Sequence, residues 1–398
     1  MRKYGGLWAF FLFFAVGSAA AQDGLVGFVS SLPAEQKAAQ VLMVSIDGKN
    51  TFDSSSKKFF NRLVPGAVLL FGFNIADTPQ GVQSFLRDCT KGFAENAEKH
   101  RVEFIPPLYA TDNEGGAVYR LKKIQSALPS AQSAAEAFSS AEAKTLYEAT
   151  AAQTAIIGIH LNLAPVAECS AAETLQTLGA RTFSESPEKN AAYAASFVAG
   201  MQKEGVLATL KHFPATGNSD PHKEKSTLSV SRSELNTRVE PFKKIIESAT
   251  PAAVLVSHTN VLCIEDVPFC FSKKGIELLR KDLRFSGLII TDDLAMRALK
   301  EGGHTTADNA LRALKAGCDM LMCSEKGIHA IVQKIAEEAK RDSEFAARLD
   351  EAVLHVLQAK QKAGLICDTG KALPQPAPDW QRYQKAKERA TEVLKKLP

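Results

Sequence analysis

The sequence predicts a single-domain α/β protein built as a (β/α)8 TIM-type barrel, with a doubly wound open sheet as the alternative. Three observations carry this. Eight short apolar runs punctuate the chain. Helical patterns separate them. The runs are continuous rather than alternating in polarity, as strands buried on both faces of a parallel sheet require.

In order, the strand-like runs are QVLMVSI (40–46), GAVLLFGF (66–73), PPLYATD (106–112), IHLNLAPV (159–166), GVLATLKH (205–212), AAVLVSH (252–258), GLIITDD (287–293) and CDMLMCS (318–324). Helical segments fall between them, among them Pro79 to His100, the Ala-rich Ala141 to Thr154, and Ser233 to Ser248. Ser233 and Ser272 are the expected N-caps of their helices, and Gly317 and Gly327 punctuate two further boundaries. No Gly-, Pro- or Ser-rich linker marks a second domain. The catalytic domain is expected over 22–365. A Pro-rich stretch, Leu373 to Pro378, introduces a tail over 366–398. There Tyr383, Ala386, Ala390, Val393, Leu394 and Leu397 recur at helical spacing, so the tail is expected to dock on the barrel as a helix.

The N-terminus differs in kind. Arg2 and Lys3 precede an apolar core, LWAFFLFFAV, too short for a membrane anchor, and Ala19-Ala20-Ala21 supplies a small-residue cleavage site. Residues 1–21 therefore read as a secretory signal peptide, with cleavage after Ala21 and a periplasmic or secreted product without stable membrane insertion. Net charge is +4, and loss of Arg2 and Lys3 leaves +2, which offers no argument for nucleic acid. The seven cysteines form no small disulfide scaffold. Cys263 and Cys270 bracket an irregular segment and are candidates for a pair in an oxidising compartment. No metal spacing stands out and no cofactor is expected: His222 and Glu224 lack the zinc-helix spacing, and there is no CxxC.

In barrels of this kind chemistry gathers at the C-terminal ends of the strands. Polar residues collect there. Strand three ends in Asp112-Asn113-Glu114-Gly115-Gly116, strand four near Glu168, strand five in Lys211-His212, strand six in His258 and strand seven in Asp292-Asp293. A buried charge without a partner costs several kcal/mol, so such clusters need mutual pairing or a ligand. The paired glycines are expected to let the backbone approach a ligand closely. The loop after strand five, TLKHFPATGNSDPHKEKS (209–226), adds Asp220 and His222.

These motifs resemble, in order, those of the β-N-acetylhexosaminidases of glycoside hydrolase family 3, over about Leu32 to Leu365. ATDNEGGAVYRL (110–121), LNLAPVAE (161–168), GARTFSESP (179–187), LKHFP (210–214), LIITDDLAM (288–296) and AGCDM (316–320) carry the likeness. The resemblance implies a retaining exo-β-N-acetylglucosaminidase acting on peptidoglycan fragments or related oligosaccharides. Asp292 falls on the nucleophile, His222 on the acid/base and Asp220 on the residue that orients it. Asp112, Arg120, Arg181, Lys211 and His212 fall on sugar-binding positions. A retaining glycosidase needs a carboxylate nucleophile and a group that protonates the leaving oxygen, and an imidazole titrates near neutrality.

The chain also departs from the pattern. The family's Gly-His-Gly is Ala215-Thr216-Gly217, the loop is about two residues shorter, Pro221 separates Asp220 from His222, and Glu168 replaces an aspartate. Alternative readings are a β-glucosidase, xylosidase or glycoside phosphorylase of the same family, or an inactive sugar-binding homologue.

Overall fold

The computed structural model describes residues 24–171, 174–219, 224–299 and 303–397. The expected signal peptide, residues 1–21, lies outside the described residues. Eight parallel strands form the core: β1 (Leu42–Ser45), β2 (Ala67–Leu70), β3 (Leu108–Thr111), β4 (Leu161–Asn162), β5 (Leu207–Phe213), β6 (Ala253–Val256), β7 (Leu288–Thr291) and β8 (Leu321–Cys323). Their spatial order is β7-β6-β5-β4-β3-β2-β1-β8. The seam between β7 and β8 is closed by an Ile290–Met320 bridge, in which the Thr291 N–H donates to the Met320 carbonyl at 2.9 Å. The structure is thus the closed barrel and not the open sheet.

The strands are buried because their side chains pack on both faces. Ala67, Val68, Leu69 and Leu70 of β2 are all at most 2% exposed, as are all four residues of β7. Burying one Val or Leu side chain contributes about 1.5–3 kcal/mol. Runs this uniformly apolar therefore have no stable place at a solvated sheet surface.

Helices cover the outside, and most of their starts are set by side-chain caps. Thr78 caps Pro79–His100, whose first-turn proline needs no hydrogen-bonded N–H. Ser139 and Glu142 form a reciprocal capping box for Ser140–Ile156, as do Thr305 and Asp308 for Thr306–Ala316. Ser272 caps Lys273–Glu277, and Gly317 ends its helix in the left-handed region at φ 117°. The cap expected at Ser233 lies instead at Ser231, whose side chain accepts from the Glu234 N–H while Glu234 reaches back.

At the N-terminal face of the barrel, Asp319 is fully buried. It accepts from Arg348 at 2.7 Å, from His355 at 2.9 Å, from Arg280, and from the Ile289 N–H at 2.8 Å. Burial alone would raise this carboxyl, but His355, Arg280 and Arg348 hold it well below the usual range. This face bears a structural ion cluster.

The helix Trp380–Leu394 lies against Ser140–Ile156. Tyr383, Ala386 and Ala390 are buried, the Tyr383 hydroxyl donates to the Ile124 carbonyl, and Arg389 reaches Glu148 at 2.9 Å. Among the described residues no helix is long and apolar enough to cross a membrane.

Candidate active site

A cavity of about 640 Å³ opens at the C-terminal ends of the strands. Asp112, Arg120, Arg181, Lys211, His212 and Asp292 all line it. Six residues, from the ends of β3, β5 and β7 and from the loops that follow β3 and β4, thus converge on one space. The Lys211–His212 peptide is cis, as are Ala164–Pro165 and Phe213–Pro214.

One wall is a chain of opposite charges. Lys211 Nζ lies 2.8 Å from Asp112 Oδ1 and 2.6 Å from Glu114 Oε1, and Glu114 accepts both Nε and Nη2 of Arg181 at 2.8 Å. Burial pushes the Glu114 carboxyl up; the Lys211 ammonium and the Arg181 fork overcome it and hold the group at about 2. Lys211 is buried, which alone would depress its pKa, but Asp112 and Glu114 raise it above the ordinary value. Glu114 and Lys211 therefore stay ionised across neutral pH. The Arg120 Nε is buried and has no hydrogen-bond partner among the described residues. Leaving such a donor unmet costs about 1–3 kcal/mol, so it favours an oxygen-bearing ligand beside it.

A second cluster holds His212. Its Nδ1 lies 2.9 Å from Glu168 Oε1, which leaves Nε2 as the ring atom for a ligand. Glu168 also accepts the Thr216 hydroxyl at 2.8 Å and the Thr216 N–H at 2.5 Å. Burial would raise the Glu168 carboxyl, yet His212 and Thr216 lower it below its ordinary value. Glu168 stands behind His212 and fixes the ring.

The two aspartates after β7 are used differently. The Asp292 N–H donates to the Val256 carbonyl at 3.1 Å, and its Oδ1 accepts from the Asp293 N–H at 2.8 Å. Asp293 Oδ1 accepts the N–H groups of Ala295 at 3.0 Å and Ser324 at 3.1 Å. The Asp293 carbonyl accepts from His258 Nε2 at 3.0 Å, and His258 Nδ1 faces the Cys270 thiol at 3.3 Å. Asp293 is thus committed to the backbone around the β7–β8 seam, and His258 buttresses it from below the cavity.

Asp220 and His222 lie outside the described residues. Their neighbours Ser219 and Glu224 both line the cavity. The two ends of the loop are tied together: Asn218 exchanges hydrogen bonds with Thr227 at 3.0 and 3.1 Å, and the Ser219 hydroxyl donates to the Lys225 carbonyl at 2.8 Å. Gly217 permits this closure, because a Cβ there would sit 2.4 Å from Ser226 Oγ and 2.8 Å from the Thr227 carbonyl oxygen.

Two expectations need correcting. Gly115 and Gly116 have φ of 102° and 55°, and a Cβ would fall 2.2 Å from the Pro129 oxygen and 2.8 Å from the Ser130 Cβ. They admit the 128–130 backbone, not a ligand. Cys263 and Cys270 are free thiols, and Cys270 turns inward to His258. The sequence places Glu114 only in the strand-three polar cluster and assigns Thr216 no role. Only the fold shows that Glu114 joins Lys211 to Arg181 and that Thr216 holds Glu168.

The family described as Glycosyl hydrolase family 3 N terminal domain matches residues 34–359. A β-hexosaminidase of Tolumonas auensis is 31% identical over 297 residues, covering 73% of this chain and 84% of that one. Among solved structures, a family 3 β-N-acetylglucosaminidase from Paenibacillus sp. FPU-7 superposes with TM-score 0.80 at 25% identity, covering 92% of this chain and 69% of that one. A β-N-acetylhexosaminidase from Beutenbergia cavernae gives 0.75 at 29% identity, covering 83% and 99%.

Proposed function

The chain belongs to glycosyl hydrolase family 3 and is a glycosidase acting on sugar substrates, and from that premise we propose that it removes terminal β-linked N-acetylglucosamine, with retention, from peptidoglycan fragments or related oligosaccharides. One observation carries the reading: Asp292 shares its cavity with the ion-paired Asp112–Lys211–Glu114–Arg181 wall, with Arg120 and with His212. That pairing sets a carboxylate beside a polar surface suited to sugar hydroxyls.

In the proposed reaction Asp112, Arg120, Arg181, Lys211 and His212 hold the sugar. Asp292 attacks the anomeric carbon and forms a glycosyl ester as the leaving oxygen departs. His222, oriented by Asp220, protonates that oxygen and then takes a proton from the water that opens the ester. The loop ends at Ser219 and Glu224, both on the cavity wall, support this assignment. Asp293 serves the backbone and is not the nucleophile. Export, directed by residues 1–21, belongs to the same proposal, and the N-terminal sequence of the secreted protein tests it.

The deciding assay compares chromogenic β-N-acetylglucosaminide and β-glucoside, each with and without phosphate. Cleavage of the first without dependence on phosphate is expected. Preference for the glucoside, or dependence on phosphate, overturns the reading.

A further inference from the structure

We infer that Phe71 and Phe73 form an aromatic platform that receives the sugar ring of the leaving group, a subsite adjoining the cavity; the inference rests on the glycosidase reading above. Phe71 follows β2 directly and lines the cavity. Phe73 is 60% exposed, and the two rings stack at 5.7 Å between centroids with planes 14° apart. The aromatic surface thus runs from the cavity wall outward.

The loop that carries it is built, not slack. Asn74 is fully buried. Its Oδ1 accepts the Phe71 N–H at 2.9 Å, and its Nδ2 donates to the carbonyls of Ile46 at 2.8 Å and Gly48 at 2.7 Å. A single side chain therefore clamps this loop to the loop after β1. The chain invests a buried polar residue in holding Phe73 where much of its ring meets water. Nothing in the packing of the barrel requires that, because Phe73 lies outside the core.

The chemistry selects the occupant. The charged wall provides ion-paired and hydrogen-bonding groups for the hydroxyls of the sugar whose bond is cleaved. The platform provides none. It offers a flat apolar face, which suits the C–H face of a pyranose while that ring's hydroxyls point to water. The ring that leaves is the one that must lie beyond the cavity. Such a platform favours a sugar as leaving group without reading its substituents.

The test compares two β-N-acetylglucosaminides with alkyl leaving groups, the β-1,4-linked disaccharide of N-acetylglucosamine and the methyl glycoside. They differ chiefly in whether a second ring is present. In Phe73→Ala the ratio of kcat/KM for the disaccharide to that for the methyl glycoside should fall about tenfold, the size expected for loss of one aromatic contact. Phe73→Trp should keep the ratio, and both variants should melt as the native chain does. An unchanged ratio in Phe73→Ala overturns the platform and leaves the glycosidase reading standing. Hydrolysis of neither compound by the native chain overturns both.

Discussion

Lys211 Nζ and Glu114 Oε1 stand 2.6 Å apart with both side chains 4% exposed. Neither charge has water to turn to, so each depends on its partners. Breaking a buried pair by removing one partner typically costs about 3–5 kcal/mol. Lys211→Met should destabilise the chain toward the lower end of that range, because Arg181 still answers Glu114. Urea unfolding checks the cost. Lys211→Met/Glu114→Gln should lose less than the two single variants summed, since both charges leave together.

The same carboxylate makes stability pH-dependent. Glu114 sits at about 2 in the folded chain against an ordinary 4.5. A lowered folded pKa gives stability that is complete above the unfolded value and is lost as pH falls through the folded one. The window is thus pH 4.5 down to about 2. The difference corresponds to about 3 kcal/mol at most. Glu114→Gln should flatten the melting temperature against pH across that window, though the variant is less stable at neutrality.

Asp292 and Asp293 should separate cleanly. Asp292→Ala should abolish turnover while sugar binding persists, and a 2-fluoro sugar should label Asp292 in the native chain. Asp293→Ala strips the acceptor from two backbone N–H groups and should cost about 1–3 kcal/mol of stability. Asp293→Asn, which keeps an acceptor, should cost less. Mass spectrometry that finds the label on Asp293 reverses the assignment.

His222→Ala should harm substrates with poor leaving groups most in the first step. With activated aryl substrates the covalent intermediate should accumulate, and azide, which needs no base, should restore part of the rate. Asp220→Ala should give a milder defect. A carboxylate beside an imidazole favours its charged form, so removing it should move the alkaline limb of the pH profile to lower pH. Near-normal turnover of a disaccharide by His222→Ala locates the acid elsewhere.

The barrel was legible because continuous apolar runs have one economical home, a parallel sheet buried on both faces. Cavity-lining residues were legible where they sat at strand ends, as Asp112 and Asp292 do. Pairings were not. Lys211 lies 99 residues beyond Asp112, and only the sheet order, with β4 between β3 and β5, sets them side by side. The glycines after Asp112 showed that something comes close, while the 128–130 backbone that does so comes from a later turn. The cap at Ser231 is legible from spacing alone: Ser231 and Glu234 have capping-box spacing, and Ser233 does not. Thr216 and Glu168 are each a departure from the family pattern taken singly. Together they are a matched pair, the longer acid meeting the hydroxyl.

The seam between β7 and β8 has a consequence for synthesis. β8 pairs with β1 on one side and closes on β7 at the other. A nascent chain that stops short of Met320 presents two unsatisfied strand edges, one from each end of the sheet, and edges of that kind invite pairing with other chains. Asp293 then also lacks the Ser324 N–H that holds its carboxylate. The turn that bears Asp292 is therefore finished only after nearly the whole barrel has left the ribosome. Incomplete translation products of this chain should be both inert and sticky, and any escort that shields them must act until the eighth strand arrives.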